Sequence, residues 1–148
     1  NINNKESPKW MQNFLKTAGI EPKNSVIDII NYVMFSLGQP MHAYDASVLN
    51  ENFTIDRRIN SNFTDLNDTK HTLDEEVFTI QNNGMDIAII GIIGSDCAKI
   101  NKDSTNIVLE SSYFVPELIA KIGQKLKINS DSRFRPSDFC CGHPDPNR

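Results

Sequence analysis

Three short stretches of the 148-residue chain carry side chains whose types and spacing could do chemistry. In NYVMFSLGQPMHAYD, Asn31 to Asp45, an apolar run with helical spacing stops at Gly38 and Pro40. His42, Tyr44 and Asp45 follow directly behind the stop. A histidine there is either a hydrogen-bonded turn residue or a group that the turn aims into a cleft. Asp45 is a member of the same site or a cap for Ala46 to Leu49. In AIIGIIGSD, Ala88 to Asp96, an apolar strand ends in Gly91 and Gly94. Such glycines let a ligand or backbone approach and free N–H groups for a carboxylate or phosphate oxygen, or they mark a bulge and a turn. In NIVLES, Glu110 closes an apolar strand, at a solvent edge or as an acceptor inside a pocket that must then supply a donor. There is no P-loop, no G-x-G-x-x-G after a strand, no H-E-x-x-H and no G-x-S-x-G. Cys140, Cys141 and His143 lack the C-x2-C spacing of zinc sites, so no metal site is expected.

Hydrophobic content of 39% and charged content of 23% speak against wholesale disorder and fit one domain with a real core. The longest apolar run, Ile87 to Ile93, is strand-sized and far from the roughly 20 residues that span a bilayer. No signal-peptide core opens the chain, and Cys97 with the adjacent Cys140 and Cys141 makes a poor disulfide framework. A cytoplasmic protein is expected, and the Asn-x-Ser/Thr triplets at Asn52, Asn62 and Asn67 are then chance. A net charge of −4 argues against an autonomous, charge-driven nucleic-acid binder, DNA included.

The elements that must position these residues follow from caps and periods. Ser7 as N-cap, Pro8 as first helical residue and Gly19 as stop bound a short amphipathic helix. Asn24-Ser25 caps a second helix, Val26 to Leu37, whose broad periodicity predicts a mostly buried element. Short β-like runs follow at Phe53–Ile59, Phe63–Leu66, His71–Leu73, Val77–Ile80, Ile87–Ile93 and Asn106–Glu110. Pro116 opens an amphipathic helix with Leu118, Ile119, Ile122 and Leu126 inward. Helices, then strands, then a helix predict an α+β fold. From Pro136 the tail has three prolines and no period, and is expected to be disordered or artificial.

Taken in order, SPKWMQNFLKTAGI, VIDIINYVMFSLGQPMHAYD, AIIGIIGSD, TNIVLESSYFVPELI and INSDSRFR resemble the editing (B3/B4) region of the bacterial-type phenylalanyl-tRNA synthetase beta subunit. The resemblance covers about Ser7 to Arg135, and GQPMHAYD is its most specific piece. It implies an α+β mixed layered sandwich over residues 1–135, and because the irregular tail over 136–148 departs from the family's continuation, a truncated or frame-shifted fragment is expected. It also implies hydrolysis of tyrosine wrongly esterified to tRNA(Phe), in an enzyme that ligates phenylalanine to that tRNA with ATP. The expected partners are tRNA(Phe) and a synthetase alpha subunit. ATP and magnesium serve the complete synthetase, and no cofactor is implied in this chain. An apolar phenylalanine pocket cannot strongly reject an added hydroxyl, so a second site that hydrogen-bonds the phenol is physically sensible.

By the same resemblance Glu110 matches the acceptor of the phenolic proton, and His42 the editing-site histidine near the ester and the terminal adenosine. Gly91 and Gly94 match glycines lining the amino-acid pocket. Asn31 falls on the pocket-lining helix, and Ser130 and Ser132 in the segment that closes the site. Four positions depart from the family pattern: Ser95 replaces a glycine, which would narrow the pocket or add a hydroxyl to it, Glu21 replaces a basic residue, and Ile30 and Ser130 each replace a threonine. Loss of editing with retention of a non-catalytic RNA-binding or scaffold role is the alternative, as is an inactive fragment.

Overall fold

The computed structural model describes residues 2–128. Two helices come first: α1, Lys9–Thr17, and α2, Ser25–Leu37. Eight strands follow among the described residues: β1 (His42–Asp45), β2 (Phe53–Arg57), β3 (Ser61–Thr64), β4 (Lys70–Leu73), β5 (Phe78–Asn82), β6 (Met85–Ile89), β7 (Ile93–Gly94) and β8 (Ile107–Glu110). The last described element is α3, Pro116–Leu126. The fold is α+β, with helices at both ends of a run of antiparallel strands. Strands β2-β5-β6-β7 form the largest sheet, while β3 with β4 and β1 with β8 form two-stranded ones. Two isolated bridges, Tyr44 with Lys99 and Asp65 with Ser95, tie the small sheets to the rest.

Local chemistry sets the helix ends. Asn24 caps α2 by accepting the Ile27 N–H, and Gly38 closes it at φ +72, a conformation that costs glycine nothing. Helix α1 ends in a Schellman arrangement, Gly19 N–H to Lys16 and Ile20 N–H to Leu15. Its start differs from expectation. The helix begins at Lys9, and the Ser7 hydroxyl donates to the buried carboxylate of Asp28 instead of capping α1. A buried carboxylate is the stronger acceptor, so the serine joins the two helices.

Helix α2 is less buried than its periodicity suggested. Val26, Ile30 and Met34 are inside, but Ile29 and Leu37 are exposed. Two apolar clusters hold the molecule together. The larger runs from Tyr44 and Phe63 through Ile87–Ile90 to Ile119 and Ile122, and the smaller joins Val26, Ile30, Ala43 and Ile100. Strand β1 lies between them. Its alternation sends Ala43 to the helix side and Tyr44 to the sheet side. The tail from Pro136 lies outside the described residues.

Candidate functional site

His42–Asp45 is a strand, paired antiparallel with Ile107–Glu110 in the register His42 to Glu110 and Tyr44 to Val108. Directly opposed residues in such a pair project to the same face, so the pairing brings imidazole and carboxylate together across 68 positions of sequence. Tyr44, two residues on, shares that face and reaches the carboxylate diagonally: its hydroxyl donates to Glu110 Oε2 at 2.5 Å. The His42 and Tyr44 rings meet at 4.5 Å between centroids.

These three side chains border a cavity of about 230 Å³. Its other walls are Leu37 at the end of α2 with the turn from Gly38 to Met41 behind it, Ala88 and Ile89 of β6, the segment Gly91–Gly94, Ser112, Tyr113 and Phe114, and Ile119 of α3. The volume is below the about 300 to 1,000 Å³ usual for drug-sized ligands, so one amino-acid side chain is a better fit than a nucleotide.

The two glycines have different jobs. Gly91 turns the chain between β6 and β7: the Ile92 N–H bonds to the Ile89 carbonyl, and Gly91 holds φ +60 as the third residue of that turn. Gly94 makes room. A Cβ placed there would lie 2.5 Å from His42 Nε2 and 2.8 Å from Cε1. The imidazole occupies the space that any side chain at position 94 would fill.

Burial lowers the His42 pKa from 6.5 to about 4, so the ring is neutral at pH 7. Among the described residues no group hydrogen-bonds it. Tyr44 goes the other way: burial first, then the charge and hydrogen bond of Glu110, hold its phenol protonated well above the usual range. Tyr44 is therefore the donor and Glu110 the acceptor. Among the described residues no lysine or arginine lines the cavity.

Other sequence expectations fall elsewhere. Asn31 sits half-buried on α2 and is not among the cavity-lining residues. Ser130 and Ser132 lie outside the described residues. Ser95 does not narrow the cavity. Its hydroxyl donates to the Thr64 carbonyl at 3.1 Å and accepts the Cys97 N–H at 3.3 Å, capping the short 3-10 turn Asp96–Ala98. Ile30 is in the smaller core cluster and Glu21 is exposed. Asp45 caps the 3-10 turn Ala46–Val48 and also takes the Ser104 hydroxyl, away from the cavity. Tyr44, Ser112, Tyr113 and Phe114 were not singled out as lining residues. The one signal for Tyr44 was its period-2 spacing from His42. Among the described residues no group of three or more His, Cys, Asp or Glu side chains could hold a metal, and no helix is long and apolar enough to cross a membrane.

An α+β domain whose described residues place one carboxylate, one neutral imidazole and no cation around a small cleft suits a group that brings hydrogen-bond donors, and is poorly made for a phosphate. The model of the B3/4 domain family matches residues 1–137, and the chain belongs to that family. It is similar to the phenylalanine–tRNA ligase beta subunit of Wolbachia sp. subsp. Brugia malayi, 39% identical over 91% of this chain and 17% of the relative. The beta subunit of Rickettsia bellii is 32% identical over 91% of this chain and 19% of its own length. That of Zymomonas mobilis is 35% identical over 90% and 17%. The chain thus spans less than a fifth of the curated relatives it matches.

Proposed function

We propose that the chain is an editing module that hydrolyses tyrosine wrongly esterified to tRNA(Phe). It would act as part of a phenylalanine–tRNA ligase beta subunit, beside an alpha subunit that joins phenylalanine to the tRNA using ATP and magnesium. The carrying observation is the pairing of His42 with Glu110 at the cavity, where Glu110 already accepts one phenolic hydroxyl, that of Tyr44.

Among the described residues no cation lines the cavity, which supports an ester over a free amino acid. A free amino acid brings a carboxylate that would be desolvated without a partner, whereas an aminoacyl ester brings only an ammonium and, for tyrosine, a phenol. Bound phenylalanine would leave Glu110 Oε1 without a donor, which is how such a site separates the two side chains. In the reaction, water oxygen adds to the ester carbonyl, the bond to the ribose oxygen breaks, and that oxygen regains a proton. A histidine with a pKa of about 4 is a weak base at pH 7, so His42 serves here by holding the water or the ribose hydroxyl.

The test is deacylation of tyrosyl- and phenylalanyl-tRNA(Phe) by the purified full chain beside Glu110→Ala and His42→Ala. A hydrogen bond to a charged group is worth about 1.5–3 kcal/mol, so Glu110→Ala is expected to lower the preference for tyrosine by roughly 10- to 100-fold. His42→Ala is expected to slow both esters. Unchanged deacylation in both variants removes the assignment. The weak basicity of His42 favours one second reading, a module that binds the aminoacyl end without turnover. Binding of tRNA by the wild-type chain with no hydrolysis selects it.

A further inference from the structure

Tyr44 takes no part in the reaction above, yet it is only 2% exposed and its hydroxyl ends on the carboxylate that the reaction needs. It has little freedom to move. Its ring is packed in the larger core cluster and against the His42 ring, and its backbone bridges to Lys99. Glu110 closes β8 and is only partly buried, with a flexible stem. Without an anchor such a side chain spreads over several rotamers and turns toward water. Tyr44 holds Oε2, while Oε1 has no partner among the described residues.

We propose that Tyr44 is the positioning residue of the site: its phenol anchors Oε2 of Glu110 and leaves Oε1 as the acceptor for a ligand hydroxyl. The inference rests on the editing reading for the identity of that ligand, a tyrosyl group. Because the Tyr44 ring also packs on His42, one buried side chain fixes both the specificity carboxylate and the histidine. The geometry also separates two roles that a phenol on Glu110 could have. An anchor stays in place when ligand binds, whereas a competitor is displaced by it.

The experiment uses the full chain, with tyrosinamide and phenylalaninamide as uncharged-carboxyl mimics of the esters. A buried phenolic proton held by a carboxylate exchanges slowly and gives a downfield NMR signal. That signal is expected in the wild type, absent from Tyr44→Phe and retained when tyrosinamide saturates the site. Its absence from the wild type overturns the proposal, as does its loss on saturation, which would make Tyr44 a competitor. By calorimetry, Tyr44→Phe is expected to weaken tyrosinamide about tenfold, the worth of one hydrogen bond to a charged group, and to leave phenylalaninamide unchanged. Full tyrosine preference in Tyr44→Phe, with preference lost in Glu110→Gln, sinks the positioning role and leaves the editing reading intact. No preference in the wild type, with the proton signal present, sinks the editing reading and leaves the anchor. Should Tyr44→Phe not fold, the wild-type signal with and without tyrosinamide decides alone.

Discussion

Replacing Gly94 with alanine tests whether the place of His42 depends on one missing methyl group. Gly94 is in strand β7 outside the left-handed region, so alanine fits its backbone. With nothing in the way, the exchange stabilises a strand by about 0.4–1 kcal/mol through the lower entropy of the unfolded chain. Here the new Cβ lands 2.5 Å from His42 Nε2 and 2.8 Å from Cε1, where ordinary contact begins near 3.4 Å. The ring must retreat by roughly 1 Å, and the Tyr44 ring at 4.5 Å stands against it. Overpacking of this kind costs about 1–3 kcal/mol. A double-mutant cycle with His42→Ala isolates the contact by urea unfolding. Gly94→Ala is expected to destabilise the wild type and to be neutral or stabilising once the imidazole is gone, a coupling of about 1–3 kcal/mol. Additivity within about 0.5 kcal/mol would refute the placement of His42 over Gly94. On the proposed editing reading, a 1 Å displacement in a reacting constellation also costs about 100-fold in rate, so deacylation is expected to fall more than stability accounts for.

Two other changes probe the frame around the cavity. The His42 ring, faced by Tyr44 and Glu110, is neutral when folded and has a pKa of about 4 against 6.5 unfolded. The unfolded chain therefore binds the extra proton, and His42 costs stability progressively as pH falls from about 6.5 to 4, by roughly 3 kcal/mol in all. The expected result is that His42→Gln flattens the pH dependence of unfolding in that window; parallel curves for variant and wild type would count against it. Ser7→Ala removes one of two donors to buried Asp28, leaving the Lys23 N–H at 2.8 Å. A loss of about 1–3 kcal/mol in urea unfolding is expected, and one below about 0.5 kcal/mol would show the contact to be unimportant.

Helix ends were the most legible part of the fold. Asn24 and Gly38 around α2, and Pro116 at the first position of α3, announce themselves through chemistry that acts within one turn. Strand β1 was not visible. His42–Asp45 is four residues long, follows a Gly-x-Pro turn and has no β-branched member, so nothing local says strand. Its stability comes from β8, some 60 residues away, and no sequence period carries such a pairing. Ile87–Ile93 looked like one strand because its apolar run is unbroken, but the turn at Gly91 folds it into β6 and β7. Ser7 carried the right signal for a cap and went to a better acceptor on a neighbouring helix. Within the site, the residues themselves left His42, the glycines and Glu110 open between structural and functional roles, and only the family resemblance grouped them. The resemblance could not supply Tyr44, because its contact with Glu110 exists only once the register is known.

That register is where the fold meets the proposed site. A slip of one residue between β1 and β8 would turn Glu110 to the opposite face from His42 and would part it from Tyr44. Four residue pairs are a short ladder to hold such a choice, and among the described residues the two-stranded sheet gains only the isolated Tyr44–Lys99 bridge in place of a third strand. The pins are at its end. Asp45 accepts the Ser47 N–H and the Ser104 hydroxyl, and the Ala46 N–H bonds to the Asn106 carbonyl, closing the ladder one step beyond Asp45 and Ile107. Ala43 adds a second constraint, because a slip would drive it out of the apolar contact with Val26, Ile30 and Ile100. Asp45 therefore acts on the cavity without touching it. Of the two roles open to it in HAYD, the structure gives it the cap, and the cap keeps His42 opposite Glu110.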